Sequence, residues 1–333
     1  MDPRLQALAG EQQGVLAARE AHARGLTDAD LRAALRAGDL VRVRRGAYVV
    51  GSRWADADPW RRFRLSALAV ARSRPGDALS HHAALAVHGL PLWGHDPGRI
   101  DLVSGVRQGV RRSGLWVHPS RNEDRCVVDG VEVVSVSRAV VRTALTMGRD
   151  CAVVAGDAAL HRGLVTRAQL IDEVAMVTPH EGRGRALEAV LHMDESSESV
   201  GESRTRLVLD DLGLAYETQV VIRDRYGFFV ARVDFLVQGV VVEFDGRVKY
   251  ERVPDDAERA GQTPLDPGQV LWAEKQREDR IRRLGQAVER VIWGELERPG
   301  LIGARIRQAA AQAPTPAATH RAAANVDGYT RRA

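Results

Sequence analysis

Three acidic residues near the C-terminal end are the residues best placed to do chemistry. Residues 228–246, FFVARVDFLVQGVVVEFDG, contain two apolar runs around a central Gln-Gly pair, which predicts a β-hairpin with a two-residue loop. If the residues that flank this loop pair with each other, Asp234 lies opposite Glu243. Because side chains alternate along a strand, Asp234, Glu243 and Asp245 then share one face, and the other face is apolar.

This predicted arrangement favours a metal site. Two carboxylates opposed on a sheet repel each other, and a divalent cation would compensate them. Mg²⁺, or Mn²⁺ in its place, is held by one or two carboxylates together with water and phosphate oxygens. We therefore predict Asp234 and Glu243 as metal ligands. The alternative is that Arg232, which this register places opposite Asp245, neutralises the cluster on a solvated surface.

Glu202 and two lysines could complete such a site. Ser199 precedes Glu202 by three residues, which predicts a capping box at a helix start and could also direct a further carboxylate towards the metal. The chain has 48 basic residues, but its only lysines are Lys249 and Lys275. Lysine can lose its proton when buried and arginine cannot, so we predict that Lys249, just past the acidic strand, stabilises charge during catalysis.

Residues 270–293 predict a helix that ends at Gly285, followed by a strand. Part of the charge pattern in this helix is typical of surface pairs four residues apart. The basic residues could also line a track for phosphate groups, and we predict DNA contacts for Lys275 and Arg277.

A helix with Glu202, a hairpin with R-V-D-F and E-F-D-G, and a K-x-R-x-D helix together resemble the PD-(D/E)XK (restriction-endonuclease-like) fold. Residues 196–297 resemble more closely its subgroup similar to very-short-patch-repair endonucleases. The resemblance implies Mg²⁺-dependent hydrolysis of phosphodiester bonds, with Asp234 and Glu243 on the metal and Glu202 and Asp245 beside them. The sequence departs from the family pattern at one place, because Asp245 stands where the family has lysine.

The N-terminal end is basic. Residues 1–76 hold 14 Arg and 8 Asp or Glu, a net charge of +6, which favours a polyanionic partner. Residues 3–50 predict three short helices, the second over 15–23 and the third over 28–37 with Thr27 as its cap, and then a basic hairpin. This is the order of a winged helix-turn-helix, which binds DNA. The predicted DNA contacts on the third helix and hairpin are Arg32, Arg36, Arg42, Arg44 and Arg45.

The region 56–178 predicts a mixed α/β domain. Strands are predicted over 100–103, 115–118 and 131–134, and helices over 58–75, 80–88, 137–147, 151–161 and 166–177. Four histidines in this region could suggest zinc, namely His81, His82, His88 and His95. No cysteine accompanies them and nearby carboxylates lack ligand spacing, so we interpret them as ordinary helix and loop histidines.

Several stretches of the first half resemble a second family. They are GVLAAREAHARGLTDADLRAALRAGDLVRVRRGAYVV, ALSHHAALAVHGLPLWG, VVDGVEVVSVSRAVVRTAL and DAALHRGLVT. Together, over residues 5–175, they resemble the AbiEi-type antitoxin family. The resemblance implies a winged-helix transcriptional autorepressor followed by an α/β domain that counters a partner toxin.

The sequence therefore predicts a multidomain protein of mixed α+β and α/β class. The expected parts are a winged helix over 1–55, an antitoxin-like domain over 56–178, a nuclease-like domain over 196–311 and a disordered tail over 312–333. With no apolar run of membrane-spanning length, no secretory signal at the N-terminus and two cysteines among 333 residues, we expect a cytoplasmic protein without a membrane partner.

The leading functional hypothesis is a DNA-binding protein with a metal-dependent endonuclease-like domain. The alternative is a non-catalytic transcriptional regulator, or an antitoxin of a type IV toxin–antitoxin system, with a degenerate nuclease fold. No motif for a nucleotide cofactor or a serine hydrolase occurs in a convincing context, which makes a small-molecule enzyme the weakest hypothesis.

Overall fold

The structure is a computed structural model, and it describes residues 1–119, 124–246 and 267–312. The chain divides into two compact units, Met1–Met193 and Asp194–Ala333. The described residues are of mixed α and β class and contain three sheets. In this part of the chain no helix is long and apolar enough to cross a membrane.

The first fifty residues form a small three-stranded sheet with three helices. The elements are α1 (Pro3–Glu11), β1 (Val15–Ala17), α2 (Ala18–Ala23), α3 (Asp28–Arg36), β2 (Leu40–Arg44) and β3 (Ala47–Val50). The sheet order is β1-β3-β2, and both pairings are antiparallel. This element order is consistent with the predicted winged helix.

The prediction of one helix over residues 15–23 is wrong in its first turn. Val15–Ala17 is a strand that pairs with β3, and all three of its side chains are buried. Gln13 and Gly14 both have positive φ angles, 58° and 84°, and this turn directs the chain into the sheet. The cap of α3 is confirmed, because the Thr27 side chain accepts a hydrogen bond from the Asp30 N–H.

The rest of the first unit is a six-stranded sheet with helices. Its helices are α4 (Gly51–Ala55), α5 (Pro59–Ser73), α6 (His81–Val87), α7 (Val136–Met147), α8 (Arg149–His161), α9 (Arg167–Ala175) and α10 (Arg183–Leu191), with a 3-10 turn at Pro179–Glu181. Its strands are β4 (Ala78–Leu79), β5 (Ile100–Ser104), β6 (Val110–Arg112), β7 (Leu115–Pro119), β8 (Arg125–Val128) and β9 (Val131–Val134). The strand order is β6-β7-β5-β4-β9-β8. Every predicted helix and strand of this region is present, with ends that differ by one or two residues.

The second unit is built on a four-stranded sheet. Its elements are α11 (Val200–Asp211), β10 (Tyr216–Arg223), β11 (Phe229–Val237), β12 (Val240–Phe244), α12 (Pro267–Arg283), β13 (Ala287–Val291), α13 (Trp293–Leu296) and α14 (Pro299–Gln312). The strand order is β10-β11-β12-β13, in which the first two pairings are antiparallel and β12 runs parallel to β13. Helices α11 and α14 contact β12, and α12 contacts β11 and β13.

The predicted hairpin register is confirmed next to the loop, where the ladder runs to the pair Phe235 and Val242 and ends before Asp234 and Glu243. Val237 pairs with Val240 across a two-residue loop, and Gln238 and Gly239 have positive φ angles of 51° and 83°. Two such residues in succession form the type I′ turn, whose twist matches that of the flanking strands.

The apolar face of the hairpin lies where the sequence predicts it, with one exception. Phe235, Val237, Val240 and Val242 belong to one buried cluster, against which Phe244 packs. Val233 instead packs in a second cluster with Val241 and Ile281.

Candidate functional site

A cavity of about 460 Å³ lies in the second unit, beside the middle of β11 and the end of β12. The hairpin supplies its acidic residues, and α12 and β13 each supply an arginine. Its lining residues are Arg232, Asp234, Glu243, Phe244, Asp245, Gly246, Arg277 and Arg290. The three carboxylates that the sequence predicts on one face therefore meet at one cavity.

Asp234 is a half-buried carboxylate with a raised pKa. Its Oδ2 atom accepts a hydrogen bond from the Phe244 N–H at 2.9 Å. Burial raises the pKa of Asp234 to about 7, and the neighbouring Glu202 and Glu243 carboxylates also raise it. Without a cation in the cavity, Asp234 therefore carries a proton in a large fraction of molecules at neutral pH.

Glu243 is held by an arginine fork. Its side chain is buried, and Arg277 of α12 donates to both carboxylate oxygens, at 2.7 Å and 2.9 Å. Paired bonds between guanidinium and carboxylate are among the stronger polar contacts in proteins. Arg277 therefore neutralises Glu243 and reduces its repulsion of Asp234 across the hairpin.

Asp245 faces the parallel strand rather than the hairpin. Its N–H donates to the Val291 carbonyl at 2.8 Å, so the chain after β12 follows β13, and Arg290 of that strand lies 3.6 Å from the Asp245 carboxylate. The alternative in which Arg232 pairs with Asp245 is not seen among the described residues. Arg232 instead forms an ion pair with Glu198 at 2.5 Å.

Glu202 lies in the first turn of α11, which Ser199 caps, and is also near Asp234. Its N–H donates to the Ser199 hydroxyl at 3.1 Å, and its carboxylate accepts from that hydroxyl and from the Gln219 amide at 2.7 Å and 2.9 Å. Burial raises the pKa of Glu202. Ser199 is therefore confirmed as the N-cap, but the predicted capping box is incomplete, because the Glu202 carboxylate accepts from the Glu198 N–H at 3.0 Å rather than from the Ser199 N–H. The proximity to Asp234 agrees with the second role predicted for Glu202.

A glycine lets α11 come close to the hairpin. A Cβ atom at Gly201 would lie 1.9 Å from the ring of Phe244. Only a residue without a side chain fits this approach of helix to strand, and Glu202 is its neighbour in the chain. Gly201 therefore helps to bring the Glu202 carboxylate to the acidic side of β11.

The predicted basic residues of this unit divide into three cases. Arg277 reaches the cavity and binds Glu243, whereas Lys275 is exposed on α12. Lys249 lies outside the described residues, as does the predicted tail from residue 313 onwards. Sequence reasoning missed Arg290 and Gln219. Arg290 could have been found, because β13 follows α12 and a parallel strand beside β12 places Arg290 next to Glu243.

The predicted DNA contacts of the first unit lie mostly on an open surface. The side chains of Arg32, Arg36, Arg42 and Arg45 are exposed, and within the described ranges none of them forms an ion pair. We call these four the free arginines. Arg44 differs, because it is half-buried and its guanidinium donates to the Ser113 carbonyl.

The buried histidines of the first unit differ in their surroundings. His88 bonds the Val134 carbonyl at 2.9 Å, as expected of an ordinary helix histidine. His81, however, joins Asp101 and His118 in a group whose ligand atoms lie within 4.8 Å of one another. No local sequence pattern indicates this group, because its members are 17 or more residues apart and on different elements.

Comparison with protein families gives a match at the N-terminal end. Residues 3–51 match the family model described as the transcriptional regulator, AbiEi antitoxin. No curated protein matches the chain. The match covers the winged-helix segment and supports a DNA-binding transcriptional regulator, while the resemblance over the remaining residues to 175 stays a prediction.

Proposed function

We propose that this protein is a DNA-binding transcriptional regulator whose second unit carries a metal-dependent, endonuclease-like site that hydrolyses phosphodiester bonds. The first half of the proposal rests on the family match and on the free arginines. The second half rests on one observation, the meeting of Asp234, Glu243 and Asp245 at a single cavity with basic residues at its rim.

The arrangement of elements supports a PD-(D/E)XK fold. A helix with Glu202 precedes an antiparallel hairpin with the acidic residues, and a helix and a parallel strand follow. This is the order that the sequence resemblance implies. The acidic residues also lie at the positions of the two motifs R-V-D-F and E-F-D-G.

The donor set of the cavity fits a hard divalent cation. Asp234 and Glu243 would hold Mg²⁺ or Mn²⁺, with Asp245 and Glu202 as further acids. Burial, and then the Glu202 and Glu243 carboxylates, raise the pKa of Asp234, and a bound cation would offset this cost. Both ions prefer oxygen ligands. A bound ion would supply a nucleophilic water at neutral pH and charge stabilisation. Arg232 and Arg290 line the same cavity and could bind the phosphate, and Lys249 remains our proposed charge stabiliser.

A nicking assay on supercoiled plasmid tests the nuclease. We expect wild-type protein to nick with Mn²⁺ or Mg²⁺ and not with EDTA, and we expect Asp234→Ala to lose at least about 100-fold in rate. Glu217→Ala is a control, because Glu217 is an exposed acid of the same unit and lies outside the cavity lining. Equal nicking by wild type and Asp234→Ala would show that the activity belongs to a contaminant.

A second candidate function is a regulator or antitoxin that has lost cleavage. Two observations favour it: the acid at position 245 where the nuclease family has lysine, and the fork that Arg277 makes on Glu243. This candidate expects specific binding to the promoter of its own gene in EDTA, and no nicking under any metal. A partner toxin would then copurify with the full chain, and its binding would depend on the first unit.

A further inference from the structure

A compact polar group in the first unit lies apart from every predicted site. His81 begins α6, Asp101 is on β5 and His118 is on β7, so three elements contribute one side chain each. Asp101 is fully buried, His81 is 3% exposed, and the side chain of His118 is 28% exposed. The group is therefore enclosed on the side of Asp101 and reaches solvent at His118.

The Asp101 carboxylate is fixed by its neighbours. Arg99 donates to Oδ2 at 2.8 Å, and the Arg99 guanidinium stacks 3.9 Å from the Trp116 ring. The other oxygen, Oδ1, lies 2.7 Å from His118 Nε2. Arg99 therefore orients the carboxylate and leaves Oδ1 on the side of the imidazoles.

His81 is fixed by a hydroxyl and by its backbone. Its Nδ1 atom lies 3.0 Å from the Ser80 Oγ atom, which leaves Nε2 available as a ligand. Its φ angle is 52°, a left-handed conformation that a residue with a Cβ adopts at a cost of about 1–3 kcal/mol. The ring stacks on His118 with centroids 4.3 Å apart. Strain of this kind concentrates at functional sites, where the surroundings hold the residue in place.

A neighbouring nitrogen also lacks a partner. The Nδ1 atom of His82 is buried, forms no hydrogen bond with any described residue, and lies 3.5 Å from Asp101 Oδ2. The other ring nitrogen of His82 bonds the Arg99 carbonyl at 2.9 Å. A buried nitrogen without a hydrogen-bond partner, beside a buried carboxylate, indicates that the described protein groups leave a place for a further polar or charged ligand.

We propose that His81, Asp101 and His118 form a zinc site. Two imidazoles and one carboxylate are a common set of three protein ligands for Zn²⁺, and a water completes the tetrahedron. Ligand atoms around tetrahedral zinc lie about 3.3 Å apart. The group is within 4.8 Å overall, so binding needs a small closure of His81 towards Asp101 and insertion of the ion into the His118–Asp101 contact. Ser80 and Arg99 are the outer partners that orient the ligands.

Zinc titration of the full chain tests the proposal. The acidic cavity of the second unit is first silenced with Asp234→Asn and Glu243→Gln, so that its cations do not contribute. In this background we expect one Zn²⁺ per chain, measured against a chromogenic chelator. We expect His118→Gln to weaken binding by about 100-fold or more and Ser80→Ala by about 10-fold. His180→Gln is the matched control, because His180 is exposed and outside the group.

Nitrogen chemical shifts of the histidine rings give a second measurement on wild-type protein. We expect Zn²⁺ to shift the Nε2 resonances of His81 and His118 and to leave His180 unchanged. This result supports the site even if a variant does not fold. Absence of stoichiometric zinc in the silenced background, or zinc that binds without moving these two resonances, would overturn the proposal and leave a hydrogen-bonded network without metal. Neither outcome changes the expected nicking by the second unit.

Discussion

Arginines have opposite surroundings in the N-terminal segment, residues 1–50, and at the acidic cavity of the second unit. On α3 and the β2–β3 hairpin, the free arginines Arg32, Arg36, Arg42 and Arg45 have no acidic partner among the described residues. Around the cavity, arginines pair with carboxylates, as in the fork of Arg277 on Glu243. A free surface arginine can exchange its counterions for DNA phosphates, whereas a paired one must first lose its partner. Under the proposed function, the first unit could bind DNA without breaking ion pairs, whereas a cation or phosphate would have to replace the pairs in the second unit.

The difference between free and paired arginines predicts that the largest effect of mutation is on affinity for DNA. We expect replacement of all four free arginines with alanine to lower affinity for duplex DNA by about 100- to 1,000-fold, because up to four phosphate contacts are lost. We also expect the slope of log K against log salt to become shallower by about 3–4. Fluorescence anisotropy over a series of salt concentrations measures both.

A charge-matched pair of single variants sharpens this test. Arg45→Ala and Arg24→Ala each remove one positive charge from the same segment, but Arg24 is already paired with Glu11 at 2.7 Å. We expect only Arg45→Ala to weaken DNA binding clearly. Equal losses would show that net charge, rather than the absence of acidic partners, sets the affinity.

The next largest effect concerns Arg277. We expect Arg277→Ala to lower the free energy of unfolding by about 3 kcal/mol in EDTA, because Glu243 is then left buried without a counter-charge. We also expect Mn²⁺ to restore much of this loss, since the ion takes over the role of the guanidinium. Urea unfolding with and without Mn²⁺ measures both changes.

Arg36→Ala is the comparison for Arg277→Ala. Arg36 is exposed and forms no ion pair among the described residues, so its removal should change the free energy of unfolding by less than about 0.5 kcal/mol. If Arg277→Ala changes the free energy of unfolding as little as Arg36→Ala does, the pair of bonds between Arg277 and Glu243 contributes little to stability. The Glu243 carboxylate would then not need a cation for charge compensation.

The smallest effect is the pH dependence of stability in EDTA. The pKa of Asp234 is raised to about 7 in the folded protein, from an ordinary value near 4 in the unfolded chain. Between these values the folded state binds the extra proton, so the contribution of Asp234 to the free energy of unfolding falls as pH rises from about 4 to 7. We expect the Asp234→Asn variant to lack this fall. At pH 8 its free energy of unfolding should exceed that of wild type by an amount on the order of 2 kcal/mol.

Urea unfolding of wild type and Asp234→Asn at several pH values measures this difference. The amide oxygen that this substitution introduces can still accept the Phe244 N–H, so the comparison isolates the charge. Parallel pH profiles for the two proteins would mean that Asp234 is ionised throughout, and that burial does not raise its pKa.

The hairpin shows what local pattern could predict. Alternation and a two-residue turn predicted the pairing of Val237 with Val240, and Asp234 and Glu243 line one cavity as expected. The sequence pattern gave wrong predictions where a strand distant in sequence determines the local structure. The local sequence predicts a helix at Val15–Ala17, but these residues form a strand because they pair with β3. The alternative pairing of Arg232 with Asp245 is not seen for the same reason, because the Asp245 N–H bonds β13 instead of the hairpin.

Long-range contacts also explain what the sequence did not predict at the sites. Arg277 reaches Glu243 across 34 residues of sequence, and no spacing rule connects two such positions. His81 and His118 meet at Asp101 because β5 and β7 pair in parallel and α6 begins beside them. Such clusters depend on sheet order, which element prediction alone does not give.

The most direct test of the account is the location of Mn²⁺ in crystals of the wild-type chain. Anomalous scattering distinguishes Mn²⁺ from water and places it without reference to activity. The account predicts an ion bound by Asp234 and Glu243, with Arg277 displaced from the Glu243 carboxylate. An empty cavity at saturating Mn²⁺, with the Arg277 fork intact, would contradict a metal-dependent site and leave a regulator that binds DNA without cutting it.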